Sequence, residues 1–138
     1  MTDPTPTLVD SNIWIDVFGA DLRWGPWARK ALADCVDGGG VCINPIIYAE
    51  VSVSYDTIEE LDRALDTVGV ERDLLPYGAA FLAGKAFALY RKRGGQKRSP
   101  LADFYIGAHA AICGYRLLTR DTTRYQTYFP KLDVVGPD

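Results

Sequence analysis

Four carboxylates stand in surroundings that need explaining. Asp10 closes the apolar stretch "TLV", Glu50 lies inside "PIIYAEVSV", Asp103 sits in "SPLADFYIGAHA", and Asp121 follows "RLLTR". Asp10 and Asp121 have an ordinary structural explanation as cap or turn residues, since a short acidic side chain accepts backbone N–H bonds at a helix start. Asp103, about one turn into a helix, has another in the favourable field of the helix N-terminus. Glu50 lacks one. Asn44-Pro45 reads as a cap followed by proline at the first helical position, which puts Glu50 in the second turn. With Ile46 at zero on a helical wheel, Glu50 falls at about 40°, Ile47 at about 100° and Val53 at about 340°. That places the carboxylate within an apolar stripe. A buried, unpaired carboxylate is costly, so it must be protonated, ion-paired or bound to a metal.

The elements that position these acids alternate along the chain. Leu8-Val9 ends a short strand, and Asp10 stands where a helix starting near Ser11 would be capped. Residues 21–36 suit a helix, stopped by "DGGG" (37–40). "VCI" (41–43) reads as a buried strand, and the helix after it runs to about residue 55. A further helix spans 57–68, and "VGVERDLL" (68–75) contains a third strand. Pro76 opens a long helix reaching "YRKRGG" (90–95), and Ser99-Pro100 opens another that ends at Gly114. "RLLT" (116–119) and "KLDVV" (131–135) are the remaining strands. Such alternation implies an α/β sandwich with a mostly parallel sheet. Ligands in these folds gather outside the carboxyl ends of the strands. Asp10 and Asp121 both follow strands there, and the helices bearing Glu50 and Asp103 can reach the same edge. Four carboxylates in one pocket would repel one another and raise each other's pKa. A hard divalent cation, magnesium or manganese, removes that conflict because it prefers oxygen ligands. The chain has no Cys/His set of the kind that zinc requires.

Composition sets the frame. The 138 residues predict one domain over 1–138, and 48% hydrophobic with 24% charged residues is ordinary for a globular chain. No apolar run approaches the ~18 residues of a membrane span, and the polar N-terminus lacks a signal-peptide pattern. Cys35, Cys42 and Cys113 are odd in number and lack ligand spacing, so reduced, mostly buried thiols and a cytoplasmic location are expected. The net charge of −3 argues against a nucleic-acid partner only as a global sum.

The ordered set "LVDSNIWID", "NPIIYAE", "SPLADFYIGAHA" and "LLTRDTTRY" resembles the PIN-domain family, and more narrowly the VapC-type ribonuclease toxins of toxin–antitoxin pairs. The resemblance runs from Leu8 to about Val135. It implies a three-layer α/β/α sandwich around a mostly parallel sheet. It also implies that Asp10, Glu50, Asp103 and Asp121 hold catalytic Mg²⁺ or Mn²⁺, with Asn12 and Thr119 steering the carboxylates by hydrogen bonds. The activity implied is endonucleolytic cleavage of RNA by a metal-activated water. The partners implied are an RNA substrate, a cognate antitoxin and a second copy of the chain.

With that activity in view the charge reads differently. Setting the four acids aside moves the formal charge from −3 to +1. "YRKRGGQKR" brings Arg91, Lys92, Arg93, Lys97 and Arg98 up to the helix of Asp103, close to where an RNA backbone would lie. The same cations also suit a solvated helix end. Arg116, Arg120 and Arg124 bracket Asp121 and are further candidates for phosphate. Trp14 is expected in the core. Trp24 and Trp27, three apart, can share a face and line a groove for an antitoxin helix, although core packing claims at least one of them. His109, the single histidine, points about 240° around the helix from Asp103 and is assigned a structural role. Two other readings fit part of the pattern: a PIN nuclease of RNA processing that is no toxin, and a non-enzymatic phosphoacceptor or interaction module. The module would be expected to carry an adjacent acid pair early in the chain, whereas Asp10 and Asp16 are apart, and it gives Glu50 no role.

Overall fold

The computed structural model describes residues 5–95 and 101–137. The apolar triplets of the sequence become strands. β1 (Thr7–Val9), β2 (Val41–Ile43), β3 (Glu71–Arg72), β4 (Arg116–Leu118) and β5 (Val134–Val135) form one sheet in the order β3-β2-β1-β4-β5, with every pairing parallel. Leu8 sits at the centre, in register with Cys42 on one side and Leu117 on the other. Helices cover both faces of such a sheet, so its inner strands are apolar throughout and do not alternate. β1 and β2 are buried at every position. From β1 the chain extends the sheet one way through β2 and β3, then crosses to the other side for β4 and β5. The order therefore reverses between β1 and β4, and the crevice at the strand ends there is the ligand position of open α/β sheets. Asp10 leaves the end of β1 at that point, its backbone N–H donating to the Leu118 carbonyl at 2.9 Å.

The helices are α1 (Ser11–Phe18), α2 (Gly25–Gly39), α3 (Pro45–Ser52), α4 (Ile58–Asp66), α5 (Tyr77–Lys92), α6 (Leu101–Cys113) and α7 (Thr122–Tyr128). They complete the α/β/α sandwich expected from the sequence. Their bounds differ from the sequence reading in ways the local chemistry explains. α2 starts at Gly25, not at Asp21, because the Asp21 carboxylate accepts the N–H groups of Arg23 and Trp24 and closes a turn instead. The same helix runs through the first glycines and stops at Gly40, which adopts φ +91°. Asn44 caps α3 as expected, accepting the Ile47 N–H, but α3 ends at Ser52, short of residue 55. Val53 is consequently 86% exposed and does not share a stripe with Glu50. Thr57 caps α4 through the Glu60 N–H. The expected opening of α6 at Ser99-Pro100 lies outside the described residues. Cys35 and Cys42 are buried, whereas Cys113 is exposed.

α6 and α7 are locked by one small residue. A Cβ on Gly107 would meet Phe129 Cε2 at 2.5 Å and Tyr125 Cδ1 at 3.0 Å. Both rings are buried and have little room to retreat. Gly84, mid-way along α5, has open space around its Cα. Gly107→Ala should therefore destabilise the protein by about 1–3 kcal/mol through overpacking. Gly84→Ala should stabilise it by about 0.5–1 kcal/mol, because alanine loses less entropy in a helix. Denaturant unfolding of the two variants checks both signs.

Candidate active site

Asp10 is the best-buried member of the acid set, 3% exposed. It caps α1, its Oδ1 accepting the Ser11 N–H at 2.7 Å. Oδ2 accepts the Thr119 hydroxyl at 2.7 Å and the Tyr125 hydroxyl at 3.1 Å, with the Asn12 amide at 3.4 Å. Burial pushes its pKa up to about 6; the Thr119 bond opposes the rise and the nearby Asp103 charge adds to it. Ser11 extends the network, its hydroxyl donating to Glu50 Oε1 at 2.9 Å. Glu50 is half-buried, beside the line of α3 that faces the core through Ile47 and Val51. Burial raises its pKa, against the Ser11 bond, and the Asp103 charge raises it further.

Asp103 is the electrostatic hub, since its charge is felt by both Asp10 and Glu50. Its own pKa is raised by burial and by Asp121, and held down by Arg124. The Arg124 Nη1 donates to Asp103 Oδ2 at 2.6 Å and lies 3.9 Å from Asp121 Oδ2. Asp121 stands at the start of α7 with its carboxylate half-exposed, making no side-chain cap bond. Its backbone N–H donates to the Thr119 hydroxyl at 3.0 Å. Thr119 thus ties the end of β4 to Asp10 in one direction and to Asp121 in the other. Asn12 braces the same turn, its Oδ1 accepting the Arg120 N–H at 3.2 Å and its Nδ2 lying 3.3 Å from Thr119 Oγ1.

The basic residues divide. Arg91 and Lys92 end α5, and Arg93 lies over the Tyr128 ring of α7. Lys97 and Arg98 lie outside the described residues. Of the three arginines around Asp121, Arg116 is at the opposite end of β4 and pairs with Asp133. Arg120 is turned away to Asp16, at 2.5 Å, and lies over Trp24. Of these three, Arg124 enters the acid cluster. Trp14 is fully buried, its indole N–H donating to the Val9 carbonyl. Trp24 and Trp27 pack edge to face at 6.2 Å and are half-buried. His109 is a core residue. Asn44 Oδ1 is taken by the Ile47 N–H, so its amide donates to His109 Nδ1 at 3.0 Å and the ring proton sits on Nε2.

Sequence reasoning passed over Ser11 and Tyr125. Ser11 could have been found, since it adjoins Asp10. Nothing in "TTRYQTYF" announced that the Tyr125 hydroxyl reaches Asp10. Donors here are oxygen atoms only, which suits a hard cation. Among the described residues no three His, Cys, Asp or Glu side chains are already gathered as a ligand set. The fit to a metal rests instead on charge: burial and a neighbouring acid raise the pKa of each of Asp10, Glu50 and Asp103, and among the described residues the Arg124 guanidinium offsets part of that repulsion.

A PIN domain family model matches residues 7–130. No curated protein matches the chain. Among solved structures it is similar to VapBC2 from Rickettsia felis bound to a promoter DNA fragment, with 17% identity, TM-score 0.73, and 96% of this chain and 99% of that one covered. It is similar to a toxin–antitoxin complex from Klebsiella pneumoniae, with 23% identity, TM-score 0.67, and 96% and 98% covered. It is also similar to VapBC-1 from nontypeable Haemophilus influenzae, with 19% identity, TM-score 0.70, and 95% and 97% covered. Likeness at these identities shows a shared fold.

The raised pKa of Asp10 carries a stability consequence. The folded value of about 6 lies above the unfolded one of 3.8. The folded state therefore holds its proton more tightly, and stability is lost as pH rises through that window. Asp10→Asn removes this loss while its amide still accepts the Ser11 N–H. Without metal at pH 7.5 the variant should be more stable than the parent by up to about 3 kcal/mol. The difference should vanish near pH 4. Melting curves at both pH values in EDTA check this.

Proposed function

The chain belongs to the PIN domain family, and on that footing we propose that it is a divalent-metal-dependent endoribonuclease serving as the toxin of a VapC-type toxin–antitoxin pair. The observation that carries the nuclease reading is Asp10, buried at the β1/β4 reversal with its pKa raised, and linked by Ser11 to Glu50 and by charge to Asp103. Asp10, Glu50 and Asp103 would hold Mg²⁺ or Mn²⁺, with Asp121 at the rim. Such an ion supplies a water of lowered pKa and stabilises charge on the scissile phosphate. Thr119 and Asn12 fix the orientation of Asp10, the role that partners of metal-ligating carboxylates fill. Arg91, Lys92 and Arg93 form an exposed basic end to α5, suited to an RNA backbone. Lys97 and Arg98 follow them in sequence.

The toxin half rests on the similar solved structures, which are toxin–antitoxin complexes by their own descriptions. A cognate antitoxin and a second copy of this chain are the partners proposed. The half-buried Trp24–Trp27 pair offers aromatic surface for an amphipathic helix. Among the described residues no helix is long and apolar enough to cross a membrane.

Single-stranded RNA should be cut in Mg²⁺ or Mn²⁺ and left intact in EDTA. Asp103→Asn should abolish the cutting without unfolding the protein. Thr119→Val, which keeps the shape and removes the hydroxyl, should cost roughly 10–100-fold in rate or metal affinity. Full activity of Asp103→Asn, or cleavage undiminished by EDTA, would sink the assignment. Expression in a bacterial host tests the biological role: growth arrest reversed by the product of an adjacent small gene marks a toxin, and normal growth marks an RNA-processing enzyme.

A further inference from the structure

We propose that Arg124 is a built-in counter-ion that yields Asp103 to the metal and then receives the RNA phosphate, an inference resting on the metal-dependent nuclease reading above. Three observations converge on it. Arg124 sits 2.6 Å from Asp103 Oδ2 and 3.9 Å from Asp121 Oδ2, so one guanidinium spans two acids of the cluster. Among the described residues, the two other arginines around Asp121 are held elsewhere, Arg116 by Asp133 and Arg120 by Asp16. Its helix is anchored by two other residues, since Tyr125 and Phe129 of the α6–α7 seam are buried whereas the Arg124 side chain is 37% exposed. The guanidinium can therefore swing towards solvent on its long stem while α7 stays in place.

Charge dictates the consequence. Arginine stays protonated in proteins, so Arg124 cannot relieve repulsion from a divalent cation by losing a proton. It must move, or the cation binds more weakly. Once displaced it stands at the mouth of the cluster, where its planar fork suits two phosphate oxygens. Metal and phosphate both favour the same displacement, so each should strengthen the binding of the other. The half-exposed Asp121, 3.9 Å away at the rim, can keep hold of the guanidinium as it leaves Asp103.

The experiment is Mn²⁺ calorimetry on the full chain without RNA, for the parent, Arg124→Gln, Arg124→Ala and Arg124→Lys. KM and kcat are then measured on a single-stranded RNA oligonucleotide at saturating Mn²⁺. The neutral variants should bind Mn²⁺ about 5-fold tighter or more, while their KM rises by about 10-fold. Arg124→Lys, which keeps the charge, should stay near the parent in Mn²⁺ affinity and recover part of the KM. Glutamine retains most of the stem, so a folding failure of the alanine variant leaves the measurement intact. A merely structural arginine would weaken both properties together. Neutral variants that bind Mn²⁺ no tighter than the parent overturn the counter-ion role, and an unchanged KM overturns the phosphate role. Both results leave the nuclease reading standing. A parent protein that takes up no Mn²⁺ removes that reading and this inference together.

Discussion

A carboxylate sealed between two strand ends is the constraint on which the rest of the structure depends. Asp10 is nearly inaccessible to water, yet it carries an oxygen pair contacted by Ser11, Asn12, Thr119 and Tyr125. Each contact comes from a different part of the fold or holds a different part in place. Ser11 and Asn12 open α1, Thr119 ends β4, and Tyr125 reaches in from α7. The hydrogen bonds favour the charged form, while burial and the Asp103 charge oppose it, and burial prevails. Such a site is poised: closely coordinated by hydrogen-bond donors and, among the described residues, with no cation paired to Asp10 itself.

The fold brings this about through its reversal of strand order. β1 and β4 are neighbours although more than a hundred residues separate Asp10 from Thr119. Their carboxyl ends open on one crevice, and the helices that follow β2 and precede β4 deliver Glu50 and Asp103 to its walls. Gly107 matters to the same end. By omitting a side chain it lets Tyr125 and Phe129 lie against α6, which sets α7 where Tyr125 meets Asp10 and Arg124 meets Asp103. Packing and chemistry are coupled there in one turn of helix.

Much of this was legible in the sequence because it is written in local patterns. The buried triplets "TLV" and "VCI" announce parallel strands, and Asn44-Pro45 and Thr57 announce helix starts. Glu50 stood out as a carboxylate amid apolar neighbours, and it is half-buried against Ser11. The wheel was wrong about Val53, because a wheel assumes that the helix continues and this one ends at Ser52. The start of α2 was missed since Asp21 uses its carboxylate to make a turn, a choice that propensity does not reveal. Least legible were the long-range partners. Sequence proximity grouped Arg116, Arg120 and Arg124 around Asp121, whereas the sheet sends Arg116 to the far end of β4 and Asp16 draws Arg120 away. Tyr125, whose ring packs against Gly107, reaches Asp10 from across the fold. Such pairings depend on tertiary geometry, which a one-dimensional pattern does not encode.

Whether the acid cluster around Asp10 is the seat of a metal is most directly decided by anomalous diffraction from crystals of the full chain grown with Mn²⁺. An anomalous peak contacting Asp10 and Asp103, with the Arg124 guanidinium withdrawn from Asp103, is the expected result. Manganese bound only elsewhere on the surface, with the Asp103–Arg124 pair intact, would contradict it.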